Sequence, residues 1–346
     1  MKKVGLALAG GGLKGSYQIG SYYAFKKMRI NFNGIVGTSI GALNGSIIAS
    51  GNYKELMKLW ENIEPGVLME MDPEVVRAMN MQEVNIKTLF GIIRSSKEVL
   101  KNKGLPLKNI KDLAEPYINP EKIKNSNIDY GLATYNYTKK KPIYMYKEDI
   151  PTDKFVDFIM ASCSLPIFKL GKIDNDLYLD GLFHDNCPTS MLIDKGYDTI
   201  YEVKINGLGI NKKIKSTKTK IITISPSRDI GKITEMNHEK IMDNIFMGYY
   251  DTLKKLNYFD GYQYTFKKVY FLNTKKLDKI DKFTLNRVKN FFNEFEEKNL
   301  IIKCVEYIMK HENYEYNRVY NLYKVLKHIP NRDNFVYNFI KKYKNL

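Results

Sequence analysis

Cysteine is scarce and irregularly placed in this sequence, at Cys163, Cys187 and Cys304 only. Three widely spaced thiols build neither a disulfide framework nor a C-x-x-C metal pair, and they fit a reducing compartment. No His, Cys, Asp and Glu grouping has the spacing of a metal site, so neither a metal nor any other cofactor is expected. Long apolar runs are missing too. The longest uncharged stretch, between Arg29 and Lys54, is studded with Gly, Asn and Ser, whereas a membrane-spanning helix needs roughly 20 predominantly apolar residues. Nor is a secretory leader expected. Lys2-Lys3 and Ala7-Leu8-Ala9 imitate one, but only Val4 to Leu6 stand between them, against the roughly 7–15 apolar residues of such a leader. These absences lead to the expectation of a soluble, cytoplasmic protein.

Acidic residues are in deficit: 38 Asp and Glu face 55 Lys and Arg, a net charge of +17. The imbalance is uneven. Residues 1–200 hold 26 basic against 22 acidic side chains, and residues 201–346 hold 29 against 16. Three readings stay open at this point: attraction to an anionic membrane surface, attraction to nucleic acid, or simply Lys-rich solvated helix faces. No zinc-finger, RNP or basic-zipper signature is present, so nucleic acid is not the expected partner.

What the chain does contain is an ordinary globular composition, 44% apolar and 27% charged, with an α/β rhythm at its start. Residues 3–9 read as a short buried strand stopped by Gly10-Gly11-Gly12, followed by a helix over about 13–28. Residues 34–38 read as a second buried strand, with a helix beginning just after Ser39. Strand, glycine turn, helix, strand, tight turn, helix predicts a mainly parallel central sheet flanked by helices. Residues 53–117 read as helical, broken near Pro65, Pro73 and Gly104-Leu105-Pro106. Strands are expected at 128–135, 142–146, 176–179, 199–205 and 220–225, a short helix at 154–162, and a polar surface loop at 206–220. Beyond Phe271 the pattern predicts three helices, about 283–310, 313–328 and 333–344. The expected division is an α/β domain over 1–272 and a basic helical region over 273–346.

Three constellations carry chemistry. Gly10-Gly11-Gly12-Leu13-Lys14-Gly15 lies between a strand and a helix, where free backbone amides and the helix dipole stabilise negative charge. A dinucleotide reading of this loop expects an acidic residue roughly 20 positions on, and none occurs between Gly10 and Glu55. Nor is it a Walker loop, since Lys14 is followed by Gly15. Gly37-Thr38-Ser39-Ile40-Gly41 is a G-x-S-x-G sequence in the strand–turn–helix setting of a nucleophile elbow. Asp180-Gly181, at the end of an expected strand, offers a carboxylate that a serine nucleophile can use as its base.

In combination these motifs resemble the patatin-like phospholipases. That family combines G-G-G-x-[RK]-G, G-x-S-x-G about 25 residues later, and D-G-[GA] downstream. Ala161-Ser162 with Pro166 and Phe168, and Asn186 with Pro188, resemble two further stretches of the family, so the likeness covers about residues 4–205. It implies a serine acyl hydrolase without a catalytic histidine: Ser39 as nucleophile, Asp180 as base, and the amides of Gly10, Gly11 and Gly12 as the oxyanion hole. Lys14, Gly15, Gly37, Gly41 and Gly181 support the motifs, and the Lys14 charge either helps to hold an anionic head group or is simply solvated. The implied substrates are fatty acyl esters of phospholipids, lysophospholipids or other lipids, reached by transient binding to a membrane surface, for which an anionic one suits the charge. Two alternatives stay open. His184, His238, His311 and His328 all follow Asp180, so the Ser–Asp–His order of an α/β-hydrolase-like esterase is formally present, His238 fitting it best. Leu182 stands where the family has Gly or Ala, which motivates a lipid-binding protein of the same fold with weak or absent turnover.

Overall fold

A run of small and aliphatic residues, Val4-Gly5-Leu6-Ala7-Leu8, can be buried on both faces, and such runs form the interior strands of parallel sheets. Here that run is the centre of the first of two compact units, Met1–Tyr249 and Tyr250–Leu346. The computed structural model describes residues 2–63, 108–165, 171–207, 209–214, 218–233 and 237–346. The helix breaks read at Pro65, Pro73 and 104–106, and the supporting residues Pro166 and Phe168, lie outside the described residues.

In chain order the first unit comprises β1 (Val4–Leu8), α1 (Ser16–Lys27), β2 (Gly34–Thr38), α2 (Ile40–Ala49), α3 (Tyr53–Glu61), α4 (Lys108–Ala114) and α5 (Pro120–Asn125). Next come β3 (Asp129–Asn136), β4 (Lys141–Tyr146), α6 (Phe155–Ser162), β5 (Gly171–Ile173) and β6 (Asp176–Asp180). It closes with α7 (Thr189–Asp194), β7 (Thr199–Val203), β8 (Lys220–Ile224) and the first turns of α8 (His238–Lys255). The sheet order is β5-β6-β3-β2-β1-β7-β8, with β4 paired to β3. Strands β3, β2, β1, β7 and β8 are mutually parallel, and β4, β6 and β5 are antiparallel additions. This is the expected α/β architecture, a mainly parallel sheet flanked by helices.

The register on β3 positions everything that follows. β2 pairs in parallel along one edge of β3 as far as Thr38 opposite Ala133. β6 takes up the same edge at the next residue, running the other way, with Asp180 opposite Thr134. The other edge of β3 is occupied throughout by β4, from Gly131 to Asn136. Two strands therefore meet end to end on one edge, and both of their C-terminal ends carry a motif read from the sequence.

Helix α8 was not legible in the sequence. Its buried positions include Asn244, Gly248, Asp251 and Thr252 beside Ile241 and Ile245, so the apolar period of a helix is hidden. The reason lies in how closely it packs on α1. A methyl group on Gly20 would stand 1.8 Å from the Ile245 carbonyl oxygen, and one on Gly248 would stand 2.0 Å from that of Tyr17. The two backbones touch, and neither glycine has room for a side chain.

The second unit has its own core, which includes Phe266, Leu300, Ile301, Val305, Phe339 and Ile340. Its elements are a small sheet of β9 (Phe259–Asp260), β10 (Thr265–Lys267) and β11 (Val319–Tyr320) with helices α9 (Lys282–Phe292), α10 (Glu297–His311), α11 (Leu322–Lys327) and α12 (Phe335–Asn345). The single helix expected over 283–310 is two helices. Asn293 turns left-handed at φ 44°, and the Glu296 side chain caps α10 through the Lys298 and Asn299 amides. Of the helix expected over 313–328, only α11 forms, capped by Asn321, while Val319 and Tyr320 pair as a strand. Among the described residues no helix is long and apolar enough to cross a membrane.

The contact between α1 and α8 is testable. Gly20→Ala forces two backbones apart, and overpacking of this kind costs about 1–3 kcal/mol. Urea denaturation should show a lower midpoint at an unchanged m-value; an unaltered midpoint would mean that the helices do not pack this closely.

Candidate active site

Ser39 sits where β2 gives way to α2, with φ 56° and ψ −128°. A non-glycine residue in this region is strained, and such strain persists only where the surroundings hold it. Here the Ser39 amide donates to Ser162 Oγ at 2.9 Å, and Ser162 Oγ donates in turn to the Ala133 carbonyl at 2.7 Å. The Ser39 carbonyl accepts from the Ala42 amide at 2.8 Å, opening the helix. The turn is tight enough that a methyl group at Gly41 would lie 2.3 Å from the Leu8 carbonyl, and one at Gly37 would lie 2.3 Å from that of Gly41. The glycines of G-x-S-x-G are thus required by backbone contact, as the elbow reading expects.

Asp180 ends β6 directly beyond the end of β2. Its carboxyl group is fully buried. Oδ1 accepts from the Leu182 amide at 2.9 Å, and Oδ2 has no hydrogen-bond partner among the described residues. Burial pushes its pKa up to about 7, against the opposing pull of the Leu182 amide and the Ser39 hydroxyl. The thiol of Cys163, equally buried, is held well above its usual range by burial and then by the Asp180 charge, with the Ser39 hydroxyl acting in the other direction. Ser39, Asp180 and Cys163 are therefore buried neighbours. Gly181 lets the strand end turn inward, since a methyl group there would meet the Ala133 carbonyl at 2.3 Å. Leu182 is buried and keeps ordinary negative-φ geometry, so the residue that departs from the family pattern fits without strain.

The glycine loop crosses above the elbow. A side chain at Gly10 would stand 3.1 Å from Ser39 Cβ. The Gly10 amide donates to the Asn186 carbonyl at 3.0 Å, so it is not free to bind an oxyanion, and the expected three-amide hole is corrected in that respect. The Gly11 and Gly12 amides have no acceptor among the described residues. Gly12 adopts φ 57°, and Gly15 packs on Ile40 and Trp60. A buried amide network fixes both ends of the loop. Gln18 donates to the Ala9 carbonyl at 2.7 Å, while Asn44 donates to the Gly15 carbonyl and to Gln18, and receives the Trp60 indole at 3.0 Å.

Lys14 is buried, with Nζ on the Asn206 carbonyl at 3.2 Å. Burial lowers its pKa, partly offset by Asp229. The solvated side chain allowed by the sequence is not what forms. The segment expected as a surface loop after β7 is largely exposed among the described residues, and its start is tied to the site by main-chain contacts. Gly207 packs on the Gly10 carbonyl, and Ile210 exchanges backbone bonds with Leu182 and Asn186 at 2.9 and 2.8 Å.

Of the histidines, His238, His311 and His328 are exposed, and the rings of His311 and His328 bond to carbonyls of their own helices. His184 is half-buried against Tyr144, and burial and then Lys212 lower its pKa. None of the four hydrogen-bonds to Ser39 or Asp180 among the described residues. Beyond the named residues, Ser162 and Thr38 matter as supports. Thr38 Oγ1 donates to the Asp185 carbonyl at 2.8 Å, tying the elbow strand to the Asp180 loop.

Comparison with known proteins gives the family. The patatin-like phospholipase family profile matches residues 6–193, more than half of the sequence. The chain belongs to that family. Uncharacterized NTE family proteins of Mycobacterium bovis and Mycobacterium tuberculosis are each 25% identical over 207 residues, 59% of this chain and 49% of theirs. The chain thus spans about half the length of these relatives. Among solved structures, VipD from Legionella pneumophila aligns at TM-score 0.42 and 15% identity, covering 99% of this chain and 85% of that one. The type III effector ExoU of Pseudomonas aeruginosa aligns at 0.35 and 13%, covering 99% and 74%.

Ser162→Ala removes the acceptor that satisfies the strained Ser39 amide. Leaving that buried donor unpaired should cost about 1–3 kcal/mol of stability and slow fluorophosphonate labelling of Ser39 by about tenfold or more. Ser162→Thr, which keeps the hydroxyl, should recover the labelling rate. If the alanine variant labels as fast as the parent, the elbow is held by other contacts.

Proposed function

We propose that this protein is a lipid acyl hydrolase that cleaves fatty acyl esters of phospholipids or lysophospholipids through an acyl-serine intermediate, using Ser39 and Asp180 as a dyad. One observation carries the reading: a serine held at φ 56° at a strand–helix elbow, beside a buried carboxylate with one oxygen unpaired. Ser39 Oγ attacks the ester carbonyl while its proton passes to Asp180. The oxyanion that forms is met by the Gly11 and Gly12 amides. Collapse of the tetrahedral intermediate expels the lipid alcohol, which takes the proton from Asp180. Asp180 then deprotonates a water molecule that attacks the acyl-serine, releasing the fatty acid and restoring the serine.

The carboxylate suits this work because of where it is buried. An ordinary aspartate near 3.9 is too weak a base to deprotonate a serine, whereas one raised to about 7 is closer to its task. Membership of the patatin-like phospholipase family supports ester lipids as the substrate class. The exposure of three histidines and the Tyr144 contact of the fourth weigh against a histidine triad. Against the reading of a protein without turnover stands Leu182, which lends its amide to Asp180 whatever its side chain. Lipid esters lie in bilayers, so the enzyme is proposed to work at a membrane surface that it binds transiently.

Fluorophosphonate labelling tests the dyad. Wild type should label, Ser39→Ala should not, and Asp180→Asn should lose at least about 10³-fold in rate, while His184→Ala and His238→Ala label normally. Loss on either histidine replacement would replace the dyad with a triad. The pH dependence follows from the base. Only the ionised Asp180 accepts a proton, so kcat/KM for a soluble short-chain ester should rise with pH along a limb centred at about 7. A rate already flat from pH 5 upward would mean that Asp180 is not the base.

A further inference from the structure

The second unit exposes aromatic rings that its own core does not need. Phe271 is 88% exposed, Phe283 80% and Tyr270 78%, the three most exposed large hydrophobic side chains among the described residues. A soluble surface gains nothing from such rings, and clusters of them mark interaction sites.

These rings stand on a firmly held base. The segment carrying Tyr270 and Phe271 is fixed at Val269, whose amide donates to Asp260 at 2.7 Å and whose carbonyl accepts from Lys298 at 2.8 Å. Further along, the Phe271 carbonyl accepts from the Tyr323 hydroxyl, and the Asn273 carbonyl from the Tyr343 hydroxyl at 3.1 Å. Phe283 opens α9 beside the cap residue Asp281, which pairs with Lys342 at 2.9 Å. Tyr343 and Lys342 are neighbours on α12, so both aromatic segments are tied to the same turn of one helix.

Uncompensated positive charge surrounds that turn. Lys276 bonds to the Lys344 carbonyl at 3.5 Å, and Lys344 to that of Lys327 at 3.0 Å. These contacts leave the charges unneutralised. Lys275, Lys276, Lys282 and Lys344 form no ion pair among the described residues, although they lie in a unit, residues 250–346, with 20 Lys and Arg against 11 Asp and Glu.

We infer that this end of the second unit is a docking surface for an anionic lipid bilayer, with Tyr270, Phe271 and Phe283 entering the interface and the lysines facing the head groups. Aromatic rings favour the depth of the head groups. Basic side chains beside them add attraction that falls with salt and within a Debye length. The inference rests on the proposed action on lipid esters for its purpose, but the binding it describes is independent of turnover.

The test is flotation of the full chain with phosphatidylcholine vesicles, with and without phosphatidylserine, at low and high salt. Wild type should float with the anionic vesicles and less so at high salt. Replacing Tyr270, Phe271 and Phe283 together with Ser should lower the partition coefficient by about tenfold or more. Lys275→Gln, Lys276→Gln and Lys344→Gln together should remove the preference for phosphatidylserine. Hydrolysis of a soluble short-chain ester should be unchanged in both variants. Wild-type binding that ignores lipid charge, or an aromatic variant that floats like wild type, overturns the inference. So does a duplex nucleic acid that binds tighter than vesicles and is released by the lysine changes. Flotation as expected from a chain that hydrolyses no ester would leave the docking surface standing and remove the hydrolase reading.

Discussion

The site depends on one edge of β3. Because β2 and β6 approach that edge from opposite directions and stop at adjacent residues, Ala133 and Thr134, their last side chains are brought together by strand pairing rather than by a flexible loop. Ser39 follows Thr38, and Asp180 is the end of β6 itself. Ladder hydrogen bonds set the spacing of the pair, and Gly41 and Gly181 let the backbones turn there. A one-residue slip of β6 would carry Asp180 to the opposite face of the sheet. The juxtaposition of Ser39 and Asp180 is therefore as fixed as the register.

Burial then does the chemical tuning. An unpaired carboxylate oxygen in a closed interior costs free energy. Asp180 is left with Oδ2 unsatisfied, and the same desolvation that makes this unfavourable raises its basicity. The strained Ser39 backbone is a second local cost, offset by Ser162, whose hydroxyl joins the elbow amide to the Ala133 carbonyl. Ala133 thus appears on both sides of the arrangement, receiving Ser162 and packing on Gly181.

The parts legible in the sequence were those encoded locally. Residues 3–9 and 34–38 read as buried strands because their apolar runs end in glycine, and the glycines of the motifs reported close backbone approach before any partner was known. The partners themselves were not legible. Nothing near Ser162 announces that it serves Ser39, 123 residues away, and the only hint was its place in a family-like stretch. Helix α8 escaped because small and polar residues interrupt its buried apolar face, and the helix expected over 283–310 was split by a left-handed Asn293 that composition does not distinguish from a surface asparagine. Lys14 is not the solvated side chain that the sequence allowed, because its partner, the Asn206 carbonyl, lies 192 residues away and comes near only in three dimensions.

That loop explains why the departure at Leu182 is tolerable. The Leu182 amide holds Asp180, and its carbonyl accepts from Ile210. Ile210 also receives the Asn186 amide, and the Asn186 carbonyl in turn holds Gly10. The Asp180 turn, the segment around Ile210 and the glycine loop are therefore connected through main-chain groups, with Gly207 laid on Gly10 because no side chain intervenes. A family glycine or alanine at position 182 would offer the same amide and carbonyl. What the site demands there is a negative-φ backbone and a buried space for the side chain, and leucine meets both demands.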